Sequence, residues 1–157
     1  MLNVHSISPR IGYYLAGFAD GEGSFMLILR HREDYKHGWK FSLCFNVSQK
    51  ESYILSQFKK HLQCGTLRCR PDGVCYYEVN NFTSVWENII PFFKKYSFLS
   101  QNKRLQFSLF CQAAKIFNDG AHLTPEGKSQ LISIRNRMNS GGKGTRRGSP
   151  ETICQTP

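Results

Sequence analysis

Asp20 and Glu22 stand two residues apart between glycines, at the end of the string Leu15-Ala16-Gly17-Phe18-Ala19-Asp20-Gly21-Glu22-Gly23-Ser24. Ser8 and Pro9 offer a helix start ahead of them, because a serine side chain accepts from exposed first-turn amides and proline suits that turn. Gly21 and Gly23 offer its end. The acids then sit at the negative pole of the helix dipole, an unfavourable place for a carboxylate unless a cation is bound there. A divalent metal ion would remove the objection.

The helix that positions these acids is built to pack closely. Gly17 and Gly21 are four apart, as are Gly12 and Ala16, so small residues line one side and let another backbone approach. Glycine is a poor helix former, and a chain that accepts its cost gains a helix partner in return. The expected contact surface is Gly12, Leu15, Ala16, Gly17, Ala19 and Asp20.

This segment resembles the signature of the LAGLIDADG homing endonucleases, in the form with one motif per chain, and the likeness extends from about Ile11 to Phe117. The resemblance implies that two such helices pack at a twofold axis, and that the last acid of each, here Glu22 with the Gly21 carbonyl beside it, holds Mg²⁺ (or Mn²⁺ or Ca²⁺ in binding) at the scissile phosphates. It implies a homodimer on a long pseudo-palindromic double-stranded DNA site, one cut per strand and 3′ overhangs. Asp20 matches an acid that caps or orients. Gln49, in Phe45-Asn46-Val47-Ser48-Gln49-Lys50, matches a glutamine placed around the attacking water. Lys103, in Phe98-Leu99-Ser100-Gln101-Asn102-Lys103, matches a lysine with the same task, and Gln101 is the alternative for that place.

Alternating runs predict four strands. Ser24 to Arg32 places Phe25, Leu27 and Leu29 on one face, and Lys40 to Gln49 alternates between Phe41, Leu43, Phe45, Val47 and the polar set Ser42, Cys44, Asn46, Ser48. Thr66 to Arg70 and Val74 to Phe82 flank the turn Pro71-Asp72-Gly73. Helical spacing marks Glu51 to Leu62 (Tyr53, Ile54, Phe58, Leu62) and Thr83 to Phe93, where Pro91 ends or kinks the helix. Two more are Ser100 to Phe117, with Leu105 and Leu109 on its inner face, and a short one from Thr124 to near Met138. The expected fold is α+β, in the order αββαββα with extra helices: one curved four-stranded antiparallel sheet, a DNA-binding saddle on one face and helices on the other. Residues 8–138 form one domain, and 139–157 a basic, glycine-rich tail.

A formal charge of +10, from 21 basic and 11 acidic residues, favours a polyanionic partner over a small-molecule substrate. An antiparallel ribbon fits the major groove, where each base pair shows its own donors and acceptors. Arg30, Arg68 and Arg70 can reach guanine edges, Asn46, Asn80 and Glu78 adenine or cytosine, and Met26 and Ile28 thymine methyls, with Ser42, Thr66 and Tyr76 adaptable; Ser24 and Arg32 are further expected DNA contacts. Phosphate contacts are expected from Lys36, Lys40, Lys50, Lys94, Lys95, Lys143, Arg146 and Arg147.

No run of about 18 apolar residues predicts a membrane span. The first ten residues lack a secretory pattern, so the expected site is intracellular, in a bacterial cytoplasm, a mitochondrion or a chloroplast. The six cysteines form no C-x-x-C pair and are expected as free thiols; the irregular spacing of His61, Cys64, Cys69 and Cys75 argues against zinc. An RNA maturase or a non-cleaving DNA-binding protein of the same fold are the competing readings. A small metabolic enzyme has little support, as the chain has no Gly-rich phosphate loop and no nucleophile elbow.

Overall fold

A computed structural model of the chain describes residues 1–34 and 38–140. Helix α1 (Pro9–Glu22) starts where Ser8 accepts from the Ile11 amide, and runs directly into strand β1 (Gly23–His31). Next come β2 (Trp39–Gln49), α2 (Ser52–Leu62), β3 (Thr66–Cys69) and β4 (Cys75–Val79). The four strands form one antiparallel sheet in the order β1-β2-β4-β3.

The inner face of the sheet carries Phe25, Leu27, Phe41, Leu43, Phe45, Val47, Tyr77 and Val79, all buried beneath helices. The core they build is largely aromatic. Phe25 meets the rings of Phe45, Phe93, Phe98 and Phe110, and Phe58 stacks on Tyr77. Such rings contribute both large apolar area and preferred ring geometry.

The second helical stretch holds a correction. Pro91 does not end it: α3 (Phe82–Ser84), a π-helical turn (Val85–Ile89) and α4 (Ile90–Lys95) continue through the proline, with the local irregularity in the turn just before it. Proline has no amide to offer the carbonyl four residues back, which is that of Glu87. That carbonyl instead accepts from the Leu2 amide at 2.9 Å, so the N-terminal segment fills the vacancy. Lys95 Nζ likewise donates to the Val4 carbonyl, and the Tyr96 hydroxyl to that of Ile7, immediately before α1.

Helix α5 (Gln101–Asn118) is capped by Ser100, and α6 (Pro125–Asn139) by Thr124. Two positions differ from the periodic pattern. Tyr53 and Leu105 are exposed, while Leu55 and Phe110 are buried in the turns beside them.

The cysteines also differ from expectation. Cys69 and Cys75 face each other in the β3–β4 register and form a disulfide that closes the hairpin; Cys44, Cys64 and Cys111 are free. The hairpin expected around Pro71-Asp72-Gly73 pairs Cys69 with Cys75 directly, and that register brings the two sulfurs together.

Candidate active site and nucleic-acid interface

The end of α1 is the meeting point of the elements. Glu22 is its last residue and is exposed; among the described residues no hydrogen bond or ion pair holds its carboxylate. Gly23 follows as the C-cap, with a backbone approach to Ala19 so close that a β-carbon would lie 2.7 Å from the Ala19 oxygen. Gly23 pairs with Val47, so β2 carries Ser48 and Gln49 past the helix end.

Asp20 and Glu22 have different environments. The Asp20 carboxylate accepts from the Leu99 amide (3.2 Å), the Ser100 amide (3.1 Å) and the Ser100 hydroxyl (2.5 Å). It thereby supplies negative charge to the N-terminus of α5, where the dipole favours it. Partial burial pushes its pKa up, but the bonds from Ser100 and Leu99 and the charge of Lys103 outweigh this and hold it below the ordinary 3.8. Phe98, buried among Phe25, Phe93 and Phe107, anchors the segment from which these donors come.

One turn into α5, Lys103 Nζ donates to the Gly23 carbonyl. This places a cation at the C-terminus of α1, as the dipole there requires. Burial lowers the pKa of Lys103, and the charge of Asp20 pulls it back up. Gln101, the alternative for this place, is exposed in the first turn of α5. Gln49 is half-buried, and its side-chain oxygen accepts from the Lys50 amide at 2.8 Å. The structure thus brings Glu22, Gly21, Asp20 and Lys103 to one spot, with Gln49 at the neighbouring strand end.

The chemistry of this donor set fits a hard divalent cation. Glu22 offers free carboxylate oxygens, and Gly21 a main-chain carbonyl in the last turn, where helix acceptors lack intrahelical partners. Among the described residues no three His, Cys, Asp or Glu side chains converge.

The small residues of α1 divide between two faces, which corrects the expected contact surface. Leu15, Ala16 and Ala19 are buried in this chain's own core. Gly12 is small for an internal reason: a β-carbon there would lie 2.3 Å from the Tyr96 ring. Asp20 is committed to Ser100. Gly17 and Gly21 point away from the core with nothing within 4 Å, beside exposed Tyr13 and Tyr14. The spacing of four marks a close approach at Gly12, against Tyr96, whereas at Gly17 and Gly21 no described neighbour within this chain explains it.

On the outer face of the sheet the predicted base readers fall into cross-strand rows. Ser24, Asn46, Glu78 and Thr66 stand side by side across all four strands, and Tyr76 opposes Arg68. Ile28 opposes Ser42, and Arg30 opposes Lys40. Like charges directly opposite one another are unfavourable in a sheet, and a polyanion laid over them reverses the sign of that term. Met26, Ile28, Arg30, Arg32, Lys40, Ser42, Glu78 and Asn80 line a groove of ≈ 710 Å³, whose floor includes buried Cys44. Burial, with the nearby Glu78 charge, pushes the Cys44 thiol up to about 12, so it remains a neutral thiol. Asn80 donates to Glu78 at 3.0 Å.

Of the expected phosphate contacts, Lys40 lies on this face and Lys50 follows β2, exposed. Lys95 is instead spent on the N-terminal segment, and Lys94 lies in the helical layer on α4. Lys36, Lys143, Arg146 and Arg147 lie outside the described residues. No helix among the described residues is long and apolar enough to cross a membrane.

Comparison with known proteins accords with this geometry. The chain is 33% identical over 132 residues to a probable intron-encoded endonuclease 3 of Neurospora crassa, covering 80% of this chain and 24% of that protein. It is 35% identical over 107 residues to the DNA endonuclease I-CvuI of Chlorella vulgaris, covering 65% and 62%. It thus spans roughly a quarter to three-fifths of these relatives. Among solved structures, the archaeal intron-encoded homing endonuclease I-Vdi141I in complex with DNA superposes with a TM-score of 0.80 at 27% identity, covering 92% of each chain. I-SmaMI, bound to an uncleaved DNA target in the presence of calcium ions, gives 0.81 at 27% identity over 93% of this chain and 50% of that one. The LAGLIDADG endonuclease model matches residues 15–114, and the chain belongs to that family.

Proposed function

We propose that this chain is the DNA-cutting unit of a site-specific homing endonuclease. Two copies pair through the outward face of α1, lay the free faces of their sheets along the major groove of a pseudo-palindromic duplex, and hydrolyse one phosphodiester on each strand to leave 3′ overhangs. The single observation that carries this reading is the pairing of an unpartnered Glu22 carboxylate with the Lys103 ammonium on the adjacent Gly23 carbonyl.

Glu22 and the Gly21 carbonyl would hold Mg²⁺, with Mn²⁺ or Ca²⁺ able to substitute in binding. When bound, such an ion supplies a Lewis acid for water activation and for the leaving alkoxide. The rest of the work belongs to the chain's own groups. One carboxylate per copy is too few for two metal ions, so dimerisation becomes part of catalysis. Lys103, its proton loosened by burial, sits where it can hold or surrender that proton at Nζ beside the reacting phosphate. Gln49 orients the attacking water from the strand end. Asp20 touches neither DNA nor metal in this reading; it fixes α5, and through it Lys103.

Three findings support the assembly. The outward stripe of α1 is open at Gly17 and Gly21, this chain covers 50% of I-SmaMI, and it covers 92% of I-Vdi141I, which is solved with DNA. The intron-encoded relatives support an origin within an intron, and with it a bacterial cytoplasm or an organelle as the site of action. The test is to incubate the purified chain with a random-sequence duplex pool in Mg²⁺ and sequence the new ends. Paired breaks with 3′ overhangs, formed only with divalent metal, are expected. Metal-independent ends, or no ends above those from a chelated control, would contradict the reading.

A further inference from the structure

The tip of the β3–β4 hairpin carries an arginine that is already engaged. Arg70 Nε donates to Asp72 Oδ1 at 3.1 Å, and Nη2 to Oδ2 at 2.5 Å. Asp72 is itself held, since Oδ1 also accepts from the Val74 amide at 3.1 Å. The main chain closes beneath them through Arg70 N–H to the Val74 carbonyl (2.8 Å) and Gly73 N–H to the Arg70 carbonyl (3.0 Å), and the Cys69–Cys75 disulfide lies one step below. The guanidinium carbon stands 5.5 Å from the centre of the Tyr76 ring. Together these contacts favour one orientation of an otherwise flexible side chain.

This side-on fork uses one edge of the guanidinium. The outer edge, Nη1 with the second hydrogen of Nη2, carries the parallel donors that match guanine O6 and N7, with the Tyr76 hydroxyl near the guanidinium as a further neighbour. It matches a phosphate less well. Asp72 neutralises the charge that a phosphate would seek and brings an anion toward the DNA backbone, whereas the guanine edge is a neutral acceptor pair selected by geometry. The salt bridge is about half-exposed and adds little stability. Orientation is what it provides.

The same Arg–Asp pairing recurs at the other hairpin. Arg32 donates to Asp34 through Nε (2.9 Å) and Nη2 (2.6 Å), with the same Arg-x-Asp spacing. The two tips lie at opposite ends of the sheet, because Cys75 pairs with Gln49 at the end of β2, whereas Arg32 follows the far end of β1. Arg30 has no such acid and opposes Lys40.

We propose that Asp72 is a specificity-determining residue, which holds Arg70 as a rigid fork for one guanine in each half-site and keeps it from acting as a general phosphate contact. This rests on the reading of the free sheet face as the DNA-contacting surface.

The test is selection from a random-sequence duplex pool in Ca²⁺, followed by sequencing of the retained duplexes. Wild type is expected to prefer guanine at a position where Arg70→Lys, lacking the fork, does not. Asp72→Asn keeps an oxygen for the Val74 amide, so the turn survives. It is expected to lose about tenfold of the guanine preference at that position alone, while binding the unselected pool more tightly. An unchanged preference in Asp72→Asn, or an equal loss at every position, overturns the proposal while leaving the DNA-binding reading intact. No preference at any position in wild type overturns both.

Discussion

Lys103 Nζ donates to the main-chain carbonyl of Gly23, the residue that follows Glu22 at the end of α1. The contact joins residues 80 apart and depends on a second clamp one turn earlier, where Asp20 collects three donors from Leu99 and Ser100. The two acids of the motif therefore divide the work: Asp20 fixes the neighbouring helix, and Glu22 is left free for a ligand.

Lys103→Met is expected to lower the rate of DNA cleavage by about 10²-fold or more, the range for loss of a proton-handling group, with binding in Ca²⁺ nearly unchanged. Gln101→Ala is expected to leave both unaltered. Single-turnover cleavage with a gel-shift assay on the same duplex checks this, and the reverse pattern would transfer the role to Gln101.

Asp20→Asn is expected to change the acid limb of stability. Its folded pKa is depressed, so its contribution is fully present above the ordinary 3.8 and is lost as pH falls through the lower folded value. Chemical denaturation of wild type and variant should therefore show a stability gap at pH 7 that closes as pH falls below the ordinary carboxylate range. A gap that is constant with pH would mean that the carboxylate charge is not what holds α5.

Gly12→Ala and Gly17→Leu separate the two faces of α1. The first pushes a methyl into the Tyr96 ring and is expected to cost about 1–3 kcal/mol by overpacking. The second places its β-carbon where no described atom lies within 4 Å and is expected to unfold the chain little, yet to abolish assembly on DNA. Thermal melts and sedimentation of the DNA complex report the two effects independently.

These paired outcomes also mark what the sequence could reveal. The bounds of α1 were legible because Ser8, Pro9 and Gly23 act locally. The inner and outer faces of β1 and β2 were legible because strict alternation leaves one register. The direction of close packing was not, since a spacing of four records proximity without naming the neighbour: Gly12 answers to Tyr96, 84 residues later. Nor was the passage of the helix through Pro91, which requires the Leu2 amide to reach Glu87. The Lys103 contact depends in the same way on elements meeting in three dimensions.

Removing the Lys40 charge is expected to weaken binding to all duplexes alike and to reduce the slope of log affinity against log salt by about one unit, as for a phosphate contact. Salt titration of binding to unrelated duplexes measures it. Loss confined to one base position would instead make that residue a base reader.

The central claim is that the Glu22 carboxylate, free in the chain, is the group that brings divalent metal to the scissile phosphate. The most direct measurement is Mg²⁺-dependent cleavage by Glu22→Gln, run beside its DNA affinity in Ca²⁺. The account predicts loss of cleavage with site binding preserved. Cleavage at the wild-type rate by Glu22→Gln would contradict it.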